Sequence, residues 1–425
     1  MIRSLRLTTW KSFAEALLPL EALTVLVGLN AAGKSNALDA LAFLQRTANG
    51  VDLLHALESG RGEPMEAPMR GQLAAKRFKL EVVVRDARDA EYTYSLAVEV
   101  TAREGRAADA LVQAESLRGP GKTPDAVDLF RVDGMTVSAA SARTKLYNTR
   151  KGTIRELRRS HALLAQLDGQ LTVTEHPELR AGIDAVLGAL RSVFLLDPQP
   201  AQMRAYSRHA QEMQADGSNV AGFLAGLPAA HRSEVEEELA KALRSIAEPD
   251  IRSVSVDSTR FGDAMLYCKE AFAGSEQDVD ARSMSDGSLR MLAILTAMLT
   301  RPKGSLLVVE EIDNGLHPSR ARQLVHLLLS LVMKRGVDVL LTTHNETLLS
   351  ALPQDLVPTV VVAHRDPKNG TSRLTVLEEL DGLRRMIGMA PLGALLANNR
   401  IAETIQEFAR ENPLDLATAL HENAE

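Results

Sequence analysis

Residues 28 to 35 read Gly28-Leu29-Asn30-Ala31-Ala32-Gly33-Lys34-Ser35, a complete G-x-x-x-x-G-K-[ST] phosphate loop, and no other segment constrains the fold as strongly. Such a loop works only between a buried strand and a helix N-terminus, and both are legible here. Leu23-Thr24-Val25-Leu26-Val27 is a short apolar run, and from Ser35 to Leu44 apolar residues recur at i, i+3, i+4 and i+7. In that layout backbone N–H groups and the positive helix end surround phosphates, Lys34 reaches the β- and γ-phosphates, and the Ser35 hydroxyl ligates Mg²⁺. The expected nucleotide-binding residues are Gly28, Asn30, Ala31, Ala32, Gly33, Lys34, Ser35 and Asn36, with ATP and Mg²⁺ as the cofactors.

A second apolar run, Ser305-Leu306-Leu307-Val308-Val309, leads into Glu310-Glu311 and then Ile312-Asp313-Asn314-Gly315-Leu316-His317-Pro318. Two carboxylates at the end of a buried strand are costly without a partner, and Mg²⁺ with an attacking water is that partner. Glu310 is expected to hold the metal through its water shell and Glu311 to orient or deprotonate the nucleophile.

Upstream, Ser283-Met284-Ser285-Asp286-Gly287-Ser288-Leu289-Arg290 resembles the ABC signature motif in its S-D-G-[ST]-L-R form. Downstream, Val337-Asp338-Val339-Leu340-Leu341-Thr342-Thr343-His344 ends a third apolar run on a histidine that matches the switch histidine of that superfamily. The order of phosphate loop, signature, acidic strand and switch histidine resembles the ABC ATPases, in their soluble SMC/RecF-like branch. Ile2 to Leu7 with Trp10-Lys11-Ser12-Phe13, and Asn36-Ala37-Leu38-Asp39-Ala40, look like that branch's opening and the continuation of its phosphate loop. The Glu310-Glu311 pair, Asn314 to Pro318, Thr342 to Asn345 and the Asp216-Gly217-Ser218-Asn219-Val220-Ala221 turn resemble predicted AAA-type ATPases of the overcoming-lysogenization-defect group. Departures from the commonest pattern are Glu310 for Asp, itself typical of that group, Ala31 for Gly and Met284 for Leu. Gln72 and Gln199 are both candidates for the Q-loop glutamine.

The resemblance implies an α/β P-loop NTPase, an ABC-type head, with an antiparallel β-lobe and a helical insertion. It also implies that Ser285 and Gly287 contact the γ-phosphate held by a second subunit, in a head-to-head dimer, with Glu311 and His344 as the catalytic pair. The resemblance further implies a part in DNA processing or phage defence, with a nuclease or other effector acting in trans. The segment after His344 holds no apolar-strand Asp-x-Asp of the kind a Toprim nuclease domain needs. A nucleotide-gated scaffold with very slow turnover needs the same pocket and is the second reading. A transporter subunit is the third, disfavoured because Lys34 and Ser285 lie far apart in the chain.

Lys34 and the signature are thus two distant halves of one head, with an excursion between them. The divisions expected are 1–75 for the first half, 76–149 for the β-lobe, 150–249 for the helical insertion, 250–365 for the second half and 366–425 for a tail. Lys76 to Val84 and Tyr92 to Val100 alternate at period two, residues 104–126 read as a loop or hairpin tip, and helices are expected at 378–388 and 400–410. No heptad pattern persists, which excludes a long coiled coil. Arg143, Lys145, Arg150, Lys151, Arg155, Arg158 and Arg159 form a basic cluster, several of which would share a face on a helix and could contact DNA, although Glu156 interrupts them and a solvated surface is the plainer reading. Arg204, Arg208 and His209 carry the same two readings. The formal charge of −6 gives no global attraction to nucleic acid or membrane. With one cysteine, Cys268, no internal disulfide is available, and with no long apolar segment or leader a cytoplasmic protein is expected.

Overall fold

The computed structural model describes residues 1–69, 76–103, 106–122, 125–133, 140–147, 154–171, 176–246, 250–272, 274–315, 317–366 and 368–379. The chain opens with β1 (Ile2–Trp10), β2 (Phe13–Pro19), β3 (Leu23–Val27), α1 (Lys34–Ala48) and α2 (Leu53–Glu58). Four strands follow, β4 (Arg77–Arg85), β5 (Glu91–Arg103), β6 (Arg106–Pro120) and β7 (Ala126–Val132), and then a ribbon of β8 (Ser141–Lys145) and β9 (Ile154–Arg158). Next come α3 (Leu163–Asp168), α4 (Pro177–Arg191), β10 (Phe194–Leu196), α5 (Pro200–Met203), β11 (Ser207–Arg208), α6 (Val220–Gly226) and α7 (Ala229–Ile246). The last part holds β12 (Ile251–Ser258), β13 (Asp263–Phe272), β14 (Ser275–Asp280), α8 (Asp286–Thr300), β15 (Leu306–Val309), α9 (Ala321–Arg335), β16 (Asp338–Thr343), α10 (Glu346–Ser350), β17 (Val360–Arg365) and β18 (Ser372–Val376).

One sheet organises the molecule, in the order β10-β15-β16-β3-β17-β18-β2-β1-β4-β5-β6-β7. Its first five strands are parallel, and from β17 to β18 and from β2 to β7 neighbours pair antiparallel. The parallel strands read as unbroken apolar runs because both of their faces are covered. Along β15, Leu306 and Val308 face one core and Leu307 and Val309 the other; along β3, Leu26 joins the first and Val25 and Val27 the second. Helix α1 closes the first face through Ala37, Leu38, Leu41 and Leu44, and α8 closes the second through Leu289, Leu292 and Leu295. Trp10, Phe43 and Phe78 meet edge to face or tilted, with ring centroids 4.8 to 5.9 Å apart, and fasten α1 over β1 and β4.

Several expectations change in three dimensions. The expected antiparallel lobe is β4 to β7, which continues the main sheet through the β1–β4 pairing. Within 104–126, read as a loop or tip, β6 is a long strand, since alternate burial of Ala110, Val112 and Leu117 against β5 outweighs an alanine-rich, charged composition. The region 150–249 is not helical throughout, because β10 supplies the outermost parallel strand. The β17–β18 hairpin crosses the expected division at 365 and 366. The expected helices at 400–410 and over all but the start of 378–388 lie outside the described residues.

Glu115 is fully buried on β6 and caps α3: it accepts hydrogen bonds from the Leu163 and Leu164 amides, both at 2.7 Å, and from the Tyr94 hydroxyl at 3.0 Å. Burial raises its carboxyl to about 7 despite those three donors. A carboxyl with a folded value above its unfolded one contributes stability that is complete below about pH 4.5 and is lost as the pH rises through about 7. The parent is therefore expected to lose stability relative to Glu115→Gln between those two pH values, which denaturation midpoints across the range would record. A constant difference between the two proteins would show that Glu115 titrates alike in both states.

Candidate nucleotide site

Strand β3 enters the phosphate loop with every residue buried, and the loop turns back through two glycines in positive φ. Gly28 has φ 149°, and a Cβ there would lie 2.2 Å from the Ala363 carbonyl oxygen of β17. Gly33, at φ 112°, packs on β18, where a Cβ would lie 2.6 Å from Ser372 Oγ. Only glycine fits either place. Gly33 is also the N-cap of α1 and offers no side-chain acceptor, so the first-turn amides stay available to an anion. Ala32 is buried, Asn30 and Ala31 are exposed, and Ser35 sits at the second position of α1. Asn36 faces the β1–β2 turn and donates to Ser12 Oγ at 2.8 Å. Lys34 folds over the loop, its ammonium donating to the Gly28 and Leu29 carbonyls at 2.6 and 3.2 Å. Burial lowers its pKa, against the fields of Glu311 and Glu310.

β16 separates β3 from β15, so the phosphate loop and the acidic pair leave the sheet two strand spacings apart, ~10 Å, at the C-terminal ends of parallel strands. Thr343 on β16 lies opposite Val27, and Leu341 opposite Val309, which brings His344 level with both. Glu311 holds a left-handed backbone with φ 48°, an uncommon conformation for glutamate. Its amide donates to Thr342 Oγ1 at 2.9 Å, Asn314 donates to its carboxylate, and His344 Nδ1 lies 3.9 Å from Oε1. Asp313, buried, receives the Thr343 hydroxyl at 2.6 Å and fixes the turn behind the pair.

Arg61, which no sequence motif singled out, donates to the Glu310 carboxylate. Its Nε lies 3.8 Å from Asp39 on α1, which in turn receives Lys11 Nζ at 2.5 Å. The one signal in the sequence was an arginine between two glycines, Gly60 and Gly62, which reads as an ordinary turn. The Ser35 hydroxyl and the Glu310 carboxylate, the donors expected from the sequence, are oxygen ligands of the hard kind that suits Mg²⁺. No group of three or more His, Cys, Asp or Glu side chains able to hold a metal occurs among the described residues.

Ser285 is the exposed N-cap of α8, its Oγ accepting the Ser288 amide at 3.1 Å. Gly287 is buried, and a Cβ there would lie 2.2 Å from the Gly315 carbonyl oxygen. The two residues expected at the γ-phosphate of a facing subunit thus sit together at the α8 N-terminus, the serine exposed and the glycine packed on the turn after the acidic strand. Of the Q-loop candidates, Gln72 lies outside the described residues. Gln199 follows β10, the parallel neighbour of the acidic strand, and its side chain turns back to Asp197 at 3.1 Å.

The basic cluster sits on the β8–β9 ribbon and not on a helix. Arg143, Lys145 and Arg158 share its exposed face with Glu156, Arg143 and Glu156 lying 3.9 Å apart. Arg159 is buried and donates to the Val112 carbonyl, Arg155 faces inward, and Arg150 and Lys151 lie outside the described residues.

A model of the family described as "AAA domain, putative AbiEii toxin, Type IV TA system" matches residues 23–154 and 223–350, more than half of the chain. This chain belongs to that family. Its two matched blocks carry the phosphate loop in one and the signature, acidic pair and switch histidine in the other, the arrangement of an SMC/RecF-like ABC-type ATPase. No curated protein matches. Among solved structures, the SMC head bound to the C-winged helix domain of ScpA is 13% identical, with a TM-score of 0.52 over 88% of this chain and 96% of that one. The SMC head domain of Thermotoga maritima is 14% identical, with a TM-score of 0.45 over 88% and 98%. The head of Pyrococcus furiosus with an extended coiled coil, bound to the C-terminal domain of ScpA, is 12% identical, with a TM-score of 0.48 over 91% and 99%. The first of these likenesses establishes the ABC-type head fold of this family member. No helix among its described residues is long and apolar enough to cross a membrane.

Proposed function

We propose that the chain binds Mg-ATP in the phosphate loop and hydrolyses it between two facing heads, so as to drive or license a partner that acts on DNA. The observation that carries this reading is the gathering of Lys34, Glu310, Glu311 and His344 at the C-terminal ends of adjacent parallel strands, with Ser285 outward on a separate helix. Bound Mg²⁺ supplies charge stabilisation at the phosphates. Ser35 and Glu310 would hold that ion, Lys34 would neutralise phosphate charge, and Glu311, oriented by the Asn314 amide with His344 beside it, would accept a proton from water. Arg61 donates to the Glu310 carboxylate and would find further acceptors in the phosphate oxygens of a bound nucleotide. A cavity of about 490 Å³ between Lys11 and Ser12 on one side and Asn369 to Thr371 on the other lies beside Asn36 and would be the place for the nucleoside end.

The DNA part rests on the exposed face of the β8–β9 ribbon. Reversing Arg143, Lys145 and Arg158 to glutamate is expected to abolish DNA binding at low salt and, in the parent, binding should weaken as salt rises. Steady-state ATPase with and without DNA tests both halves at once. DNA affinity unchanged in the triple variant leaves the ribbon as a solvated surface. The family's description points to a toxin of a type IV toxin–antitoxin system. Growth arrest on expression of the parent, absent with Lys34→Ala, would make that the biological setting of the same ATPase.

A further inference from the structure

The segment after β10 ties two parts of the chain that the nucleotide reading leaves separate. Leu196, the last residue of β10, pairs with Val309 immediately before the acidic pair. Two backbone bonds then fix the exit, the Asp197 amide to the Ala215 carbonyl at 2.9 Å and the Gln199 amide to the Asp216 carbonyl at 2.8 Å. One turn of helix, α5, follows, and its buried Met203 shares the core of α8 with Leu289 and Ala293. Arg204, which ends that turn, reaches the signature loop. One guanidinium nitrogen donates to the Met284 carbonyl at 2.9 Å and to Asp286 Oδ1 at 2.8 Å, the residues on either side of Ser285.

We infer that Arg204 is a positioning residue for the reaction: it clamps both sides of Ser285 and so couples the strand end beside the acidic pair to the serine offered to the facing subunit. The inference rests on the proposed role of Ser285. The geometry favours more than a surface ion pair, because the Met284 carbonyl precedes the α8 N-cap and the clamp therefore fixes backbone as well as charge. Displacing Gln199, at the start of the same short segment, would be felt at Ser285 through a single turn of helix.

Since Arg204 touches neither the phosphate loop nor the acidic pair, Arg204→Ala is expected to bind Mg-ATP like the parent and to lose at least ~10-fold in kcat at saturating ATP. In a Glu311→Gln background it should also remove ATP-dependent dimerisation. Asp286→Ala should lower kcat in the same direction, and the double variant should be no worse than Arg204→Ala alone, as expected of two groups in one clamp. Arg204→Lys covers the case in which Arg204→Ala does not fold: it keeps the charge, but its ammonium falls one bond short of the guanidinium nitrogen that makes both contacts, and it should show the same loss of kcat at unchanged affinity. Parent-like kcat in either soluble Arg204 variant while Ser285→Arg is inactive overturns the clamp alone. If Ser285→Arg is itself as active as the parent, the reading of Ser285 fails and the clamp falls with it.

Discussion

Glu311→Gln is expected to bind Mg-ATP as the parent does and to turn it over at least ~10²-fold more slowly. The glutamine keeps the shape of the side chain and an oxygen for the Asn314 amide, so the turn after β15 should survive the change. What it loses is the group able to take a proton. The left-handed backbone at Glu311 and the Thr342 hydroxyl that receives its amide fix the turn that holds the carboxylate 3.9 Å from His344 Nδ1 and within the electrostatic reach of Lys34. Such strain is retained where the surrounding structure over-determines it, commonly at functional sites. Lys34→Ala provides the contrast, because it removes the cation that offsets phosphate charge and should weaken binding itself. Phosphate release at saturating ATP, with nucleotide affinity measured separately, distinguishes the two. A Glu311→Gln protein that hydrolyses ATP at the parent's rate would move the general base elsewhere.

The second large effect concerns assembly. Glu311→Gln with Mg-ATP is expected to sediment as a dimer, and without nucleotide as a monomer, because ATP held by one head and contacted by Ser285 of the other becomes part of the interface and stabilises it by mass action. Ser285 is exposed at the N-terminus of α8, a helix that covers the sheet face opposite the one covered by α1. Adding Ser285→Arg should return the protein to monomer, since bulk and charge would occupy the place of the γ-phosphate contact. Gly287 packs on Gly315, which sets the N-terminus of α8 against the turn that follows Glu311. A dimer that forms equally without ATP and survives Ser285→Arg would mean that another surface joins the heads.

The sequence alone determined the features whose signal is local. The phosphate loop between an apolar strand and an apolar-periodic helix, the two carboxylates ending a second apolar run and the histidine ending a third are each readable within a few residues, because strand, turn and helix N-terminus are set by neighbours in the chain. It was blind where the decisive partner is remote. β10 is only Phe194–Leu196, too short to show a period, and exists as a strand because Leu307 to Val309 pair with it. β6 has a loop-like composition and becomes a strand through its pairing with β5. The basic cluster, spread over sequence as if on one helix, is divided by a ribbon into an outward face and an inward one. Arg61 meets Glu310 across 249 positions and Arg204 meets Asp286 across 82, and nothing in either local sequence encodes its partner. Tertiary structure decides such pairings because an ion pair or an edge-strand contact depends on where the sheet brings the chain back, a property of the whole topology.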